Sequence, residues 1–153
     1  MVEKVYAKLK KEFDLPDFDF LNKEFEIATI EPDGFLLREI KRKIKDRLNY
    51  ASDILNKIIQ PETAALSDLY EYRCFDDEDK QKIFELFSRI LYLSRKIVES
   101  EFLLDEKKDA EIIKEVAEKW PDIRKEMIPF VKSLEACWQE IPSSDHGLKE
   151  YLG

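Results

Sequence analysis

Glycine is scarce in this sequence, with only three residues among 153. A turn-rich β protein of this length would need more, because glycine adopts the positive φ angles of tight turns at little cost. The scarcity therefore favours helices. No apolar run approaches the ~20 residues of a membrane span. The start of the chain, MVEKVYAKLKK, is amphipathic and lacks the unbroken apolar core of a secretion signal. We expect a cytoplasmic protein with no membrane partner.

Histidine and cysteine are almost as rare: the chain has one histidine, His146, and two cysteines, Cys74 and Cys137. A single histidine excludes the Glu-x-x-His pairs of di-iron bundles and the two-histidine zinc motifs. The cysteines match no metal-ligand spacing, and no glycine-rich phosphate loop is present. We therefore expect no catalytic residues, no cofactor and no metal, and predict a non-enzymatic protein.

Both cysteines are predicted to be small, buried apolar residues. A disulfide is unusual in a cytosolic protein, although hyperthermophiles are an exception. The abundance of Lys and Glu in this chain is a weak indication of a thermophilic source.

One long amphipathic segment, residues 34–60, organises the chain. Asp33 can cap its start by accepting a hydrogen bond from the first turn, and Pro61 ends it because proline has no N–H to donate. Its apolar residues recur every three or four positions, which is the signature of a helix with one buried stripe. They are Leu37, Ile40, Ile44, Leu48, Ala51, Leu55 and Ile58.

A helix of this length cannot bury its stripe alone, so we predict an all-α, mostly antiparallel helical bundle. Residues 1–141 form one domain in this interpretation, and 142–153 form a flexible tail. Short N-terminal helices pack across the bundle, although FEIATI at residues 25–30 could instead be extended. The four long helices are predicted at 34–60, 78–103, 106–120 and 121–139.

The proline positions and one acidic run refine these boundaries. Pro121 suits the first turn of a helix, where its missing N–H costs nothing. Pro129 should kink the last helix because it removes one hydrogen bond of the ladder. A short helix is predicted over about residues 62–72, with Ala65, Leu66 and Leu69 buried. The acidic run at 76–79 could suggest a cation site, but it is better explained as a helix start, where negative charge is favourable.

Charge is unevenly distributed along the chain, whose net charge is −8. Residues 34–60 contain seven basic and three acidic residues, whereas the segments on either side are acidic. Four of the basic side chains could contact the phosphates of a nucleic acid: Arg38, Lys41, Arg42 and Lys45. The alternative is that they form the polar face of an amphipathic helix and pair with the acidic segments. No aromatic residue alternates with these four to stack on a base.

A set of carboxylates offers one enzymatic alternative. Glu111, Glu115 and Glu118 share a helical face, and oxygen ligands suit Mg²⁺, so a carboxylate-based metal-dependent hydrolase is a third reading. Lysines alternate with these glutamates, however, and Glu115 and Lys119 form a favourable i,i+4 pair. A solvated, salt-bridged face is therefore the preferred interpretation.

The last residues, DHGLKEYL, resemble the PCNA-interacting peptide, the short motif by which replication and repair proteins bind the archaeal and eukaryotic sliding clamp. Leu148, Tyr151 and Leu152 occupy the positions of its aliphatic and bulky residues, and Asp145 stands where the family prefers Gln. One helical turn would place the three apolar side chains on one side, as a plug for a hydrophobic pocket. The alternative is that they fold back onto the bundle.

A second resemblance concerns residues 75–97, FDDEDKQKIFELFSRILYLSRKI, which are similar to the helical domain of GINS replication subunits. Together the two resemblances imply a helical adaptor that works through protein contacts in archaeal DNA replication or repair, with the sliding clamp as its partner. Nucleic-acid binding through the basic half of the long helix is the alternative.

Overall fold

The computed structural model of the chain describes residues 1–32 and 34–139. Within them it contains helices and no strand, so the predicted all-α class is confirmed. No helix in this part of the chain has the length and apolarity needed to cross a membrane. A short 3₁₀ turn, Ile27–Thr29, follows the second helix. The α-helices are α1 (Val2–Phe13), α2 (Phe18–Phe25), α3 (Leu36–Ile59), α4 (Leu66–Arg73), α5 (Asp77–Leu103) and α6 (Glu106–Gln139).

The long helix α3 forms as its sequence period predicts. All seven apolar residues of its predicted stripe are buried, and none is more than 5% exposed. Burial of such a stripe, at about 25 cal/mol per Å² of apolar area, is what stabilises an amphipathic helix in a folded protein.

Contacts divide the chain into two compact units. The first contains residues 1–50 and 90–121, and the second contains 51–89 and residues from 122 onward. In the first unit, α5 runs antiparallel to α3, since Lys41 contacts Ser100 whereas Asn49 contacts Ser94. The large side chains that are fully buried there are Tyr6, Leu21, Ile27, Ile40, Ile44, Leu48, Ile90 and Leu93.

In the second unit, α4 packs on the end of α6. The Tyr70 hydroxyl donates to the carbonyl oxygen of Cys137 over 2.9 Å, and the Trp138 indole N–H donates to Glu71 over 2.9 Å. The two rings lie 4.6 Å apart between centroids. The predicted helix at 62–72 is observed only from Leu66. Of the three residues predicted to be buried there, Leu66 is 48% exposed, and Ala65 and Leu69 are half-buried.

The structure corrects the prediction of separate helices at 106–120 and 121–139, because α6 is continuous through Pro121 and Pro129. The apolar period also continues through Pro121, since Val116, Trp120, Ile123 and Met127 are all buried. Burial of this stripe outweighs the single hydrogen bond that each proline removes. The bend expected at Pro129 stays a prediction.

Two further predictions are corrected. The segment 25–30 is not extended, because α2 includes Phe25 and the 3₁₀ turn follows, fixed by the Ala28 N–H donating to Asn22 Oδ1 over 2.9 Å. Cys74 and Cys137 are not free thiols but form a disulfide, with their Cα atoms 6.1 Å apart. Cys137 is buried as predicted, at 8% exposure. Cys74 is exposed, which shows that its value to the fold is the cross-link rather than apolar burial.

Candidate functional site

The turn between α5 and α6 has an unusual backbone. It consists of Leu104 and Asp105, and Asp105 begins α6 by accepting a hydrogen bond from the Lys107 N–H over 3.0 Å. Leu104 has a φ of 53°, in the left-handed region. Helices often end with a residue in this conformation. That residue is usually glycine, because the left-handed conformation costs a residue with a Cβ about 1–2 kcal/mol.

Exposed apolar side chains gather at this turn. Phe102, Leu103 and Leu104 are 82%, 50% and 69% exposed, and they follow one another in the sequence. Phe35, which is 57% exposed, lies with Leu104 along one shallow cleft of about 170 Å³. Three consecutive exposed apolar residues are rare in a protein surface without a functional reason. Arg38 lines the same cleft. We call Phe35, Arg38, Phe102, Leu103 and Leu104 the corner surface.

A second cleft adjoins the first, with a volume of about 360 Å³. Arg38 and Leu104 line both clefts. The Arg38 guanidinium lies over the Phe35 ring, with 4.7 Å between its carbon and the ring centroid. The residues that line the second cleft are Arg38, Lys41, Arg42, Ser100, Glu101 and Leu104. Guanidinium groups and apolar side chains therefore meet at one place.

Lys41, predicted on the polar face, is instead only 3% exposed. Its ammonium donates to Asp109 Oδ1 over 2.7 Å and to Ser100 Oγ over 2.8 Å. Ser100 Oγ in turn donates to the carbonyl oxygen of Ile97 over 2.6 Å. With the Asp109 carboxylate 2.7 Å from the Lys41 ammonium and both side chains almost fully buried, this cluster is a buried ion pair.

The other predicted phosphate contacts lie on the surface. Arg42 pairs with Glu39 over 2.5 Å, one turn back on α3, and Lys45 pairs with Glu101 over 3.4 Å. Three of the four basic residues thus have a carboxylate partner within the first unit. Arg38 has none among the residues that the structure describes.

The structure also places an aromatic residue beside basic ones on α3, which the sequence reading missed. Tyr50 is 66% exposed and shares a cleft of about 350 Å³ with Lys43 and Arg47. The signal was available, because positions 43, 47 and 50 lie on one helical face. Glu26 and Asp46 line the same cleft, which reduces its positive charge.

Two of the three carboxylates considered for a hydrolase, Glu111 and Glu115, are paired with lysines. Glu115 pairs with Lys96 over 2.9 Å and with Lys119 over 2.8 Å, and Glu111 pairs with Lys108. Burial raises the pKa of Glu115, but the hydrogen bonds from Lys119 and Lys96 lower it more, so that it falls below its ordinary value. Within residues 1–32 and 34–139, no three metal-ligating side chains are grouped. The run at 76–79 starts α5, where Asp76 Oδ1 accepts the Asp79 N–H.

The tail residues Asp145, Leu148, Tyr151 and Leu152 lie outside the described part of the chain, as does Asp33. Comparison with known proteins gives no assignment: no protein-family model, no curated protein and no solved structure matches this sequence or fold.

Proposed function

We propose that this protein is a non-enzymatic helical interaction module that binds a partner protein through the corner surface. The observation that carries the proposal is Leu104. Its left-handed backbone favours glycine, and its 69% exposure to solvent favours a polar residue. Leucine satisfies neither preference. Burial of Leu104 and its apolar neighbours against a partner would recover the lost stability, at about 25 cal/mol per Å² of apolar area.

Protein rather than nucleic acid is the favoured partner because the corner surface is mainly apolar. Phosphate binding needs cationic groups that can leave their own partners, and Lys41 is held by a buried ion pair. Nucleic-acid binding remains the second candidate. It is supported by Tyr50 beside Lys43 and Arg47, since an exposed ring can stack on a base while the cations contact phosphates.

The proposal includes a second contact through the tail. Leu148, Tyr151 and Leu152, with Asp145 ahead of them, are proposed to bind a sliding clamp, which would place the protein in archaeal DNA replication or repair and in the cytoplasm. This part rests on the resemblance of eight residues. The corner surface would then hold one protein while the tail holds the clamp, as an adaptor requires.

The test is quantitative affinity capture from an extract, with three proteins as bait. The wild type is compared with a corner variant, Phe102→Ser/Leu104→Gly, and with a matched control, Phe84→Ser, which removes an exposed phenylalanine in the other unit. We expect proteins that bind the wild type and the control but not the corner variant, with or without nuclease. Equal capture by all three baits would refute the proposal. Loss of capture only after nuclease treatment would favour the nucleic-acid candidate.

The tail is tested separately, with a Leu148→Ala/Tyr151→Ala variant of the whole chain. We expect it to lose binding to a purified sliding clamp while it retains the partners of the corner surface. Unchanged clamp binding, or no clamp binding by the wild type, would remove the tail from the proposal.

A further inference from the structure

The short helix α4 buries very little of its own surface. The structure describes all eight of its residues, and only one of them, Asp68, is buried. Leu69 and Tyr70 are half-buried. Surface helices are usually held by a buried apolar stripe, and an isolated helix of this length is not stable in water. Contacts other than apolar burial must therefore hold α4 on the second unit.

The contacts of α4 with α6 meet at the last turn of α6. They include the disulfide, the hydrogen bond from Tyr70 to the Cys137 carbonyl oxygen, and the hydrogen bond and ring contact of Trp138. Trp138 is 49% exposed, so water competes for its hydrogen bond to Glu71. Because exposed contacts of this kind contribute little, the disulfide is the main restraint on α4.

The chain on either side of α4 is anchored independently of it. Ile58, near the end of α3, is 2% exposed. Phe75, directly after the cysteine at position 74, is 4% exposed, and its ring centroid lies 6.5 Å from that of Phe130. Residues 60–74 can therefore leave the surface of α6 while the chain before and after them stays packed, as in local unfolding.

A reductant can reach the disulfide from the Cys74 side. Cys74 is exposed, whereas Cys137 is 8% exposed. A thiolate of a dithiol attacks Cys74 Sγ, the S–S bond breaks, and Cys137 leaves as a thiolate that takes up a proton. The second thiol of the reductant then displaces Cys74 from the mixed disulfide. The reductant loses two electrons and two protons and becomes a disulfide, and the two cysteines gain them as thiols.

We propose that the Cys74–Cys137 disulfide is a reversible redox site, and that its reduction by a dithiol releases α4 from α6 while the rest of the second unit stays folded. Release uncovers the rings of Tyr70 and Trp138, which now pack against each other, and so adds exposed apolar surface. The proposal does not depend on the corner surface, whose residues lie in the first unit.

The experiment is hydrogen–deuterium exchange of the whole protein, measured by mass spectrometry before and after reduction with dithiothreitol. Alkylation of the freed thiols counts the reduced cysteines. We expect the amides of residues 66–73 to exchange roughly tenfold faster or more after reduction, because α4 is then released. Residues 80–89 of α5, in the same unit, should keep their exchange rates. Reoxidation should restore the slow exchange of α4.

Two variants separate the disulfide from the other contacts. Cys74→Ser/Cys137→Ser should show fast exchange in α4 with or without reductant. Tyr70→Phe is the matched control, because it removes the hydrogen bond to the Cys137 carbonyl oxygen but retains the ring and the disulfide. In the oxidised form of this variant α4 should stay protected from exchange.

Several results would overturn the proposal. Unchanged exchange at 66–73 with both cysteines reduced, or fast exchange there in oxidised Tyr70→Phe, would show that the noncovalent contacts hold α4. Equal acceleration at 66–73 and 80–89 would show that reduction unfolds the unit instead of releasing one helix. A folded protein whose cysteines dithiothreitol fails to reduce would show that the disulfide is structural and not a redox site.

Discussion

The buried ion pair between Lys41 and Asp109 gives the sharpest prediction about stability. Their side chains are 3% and 6% exposed, and the ammonium makes hydrogen bonds of 2.7 and 2.8 Å to Asp109 and Ser100. Replacement of Lys41 by Met would leave the Asp109 carboxylate buried without its cation. Breaking one partner of such a pair costs about 3–5 kcal/mol, a large part of the ~5–15 kcal/mol that stabilises a typical domain.

The pair itself is expected to be far less valuable than this loss. In the double variant Lys41→Met/Asp109→Leu no charge remains to be buried, so most of the lost stability should return. Arg42→Met is the matched control, because it breaks an exposed pair on the same helix and should cost about 0.2–1 kcal/mol.

Urea unfolding, followed by far-UV circular dichroism, measures these differences in the free energy of unfolding. A cost of Lys41→Met no greater than that of Arg42→Met would contradict this account of the buried pair. So would a double variant as unstable as the single one.

Four further predictions concern other parts of the chain. Reduction of the disulfide should lower the free energy of unfolding by about 4 kcal/mol, the loop-entropy value for a sequence separation of 63; Cys74→Ser/Cys137→Ser should show no effect of reductant. Leu48→Ala, at a site with 0% exposure, should cost about 2–5 kcal/mol in urea unfolding, and a loss under ~1 kcal/mol would mean that the stripe is poorly packed. The Tyr6 hydroxyl donates to the Pro16 carbonyl oxygen, and burial raises the pKa of Tyr6 well above its ordinary value. The stability that the neutral hydroxyl contributes is therefore complete below about pH 10 and is lost as the pH rises further. A Tyr6→Phe variant should lose less stability in alkali than the wild type. EDTA should leave the melting temperature unchanged, because we expect no metal to be bound. A metal that bound only the native state would stabilise it, so a clear drop would revive the carboxylate site.

The repeating patterns of the sequence predicted much of the fold. The three-and-four spacing from Leu37 to Ile58 identified α3 and its buried face. The acidic run at 76–79 identified the start of α5 to within one residue. Both features are local, since they depend on helical periodicity and on the charge preference of a helix end.

The features that the sequence concealed depend on distant partners or on packing. Lys41 reads as a surface residue until Asp109, which lies 68 positions away, is brought against it. The pairing of Cys74 with Cys137 requires the packing of α4 on α6. Pro121 suggested a helix start because proline prefers the first turn of a helix. The sequence around Pro121 does not show that apolar residues on both sides of it are buried against other helices, and this burial keeps α6 continuous.

The corner surface left one local sign in the sequence. Phe102, Leu103 and Leu104 are consecutive, and a helix face cannot bury three neighbours at 100° intervals. This run of three apolar residues indicates only that some apolar surface is exposed. That Leu104 lies beside Phe35 and Arg38 became visible only when α3 was placed beside the turn.

The most direct test of the corner surface is the paired effect of Leu104→Gly on binding and on stability. Glycine removes about 1–2 kcal/mol of left-handed strain at an entropic cost of about 0.5–1 kcal/mol, so the free energy of unfolding should stay equal or rise slightly. Capture of the partner proteins that bind the wild type, quantified with the same samples as bait, should weaken roughly tenfold or more. A variant that keeps full affinity, or one that loses affinity only because it has become unstable, would contradict the assignment of this surface to a partner.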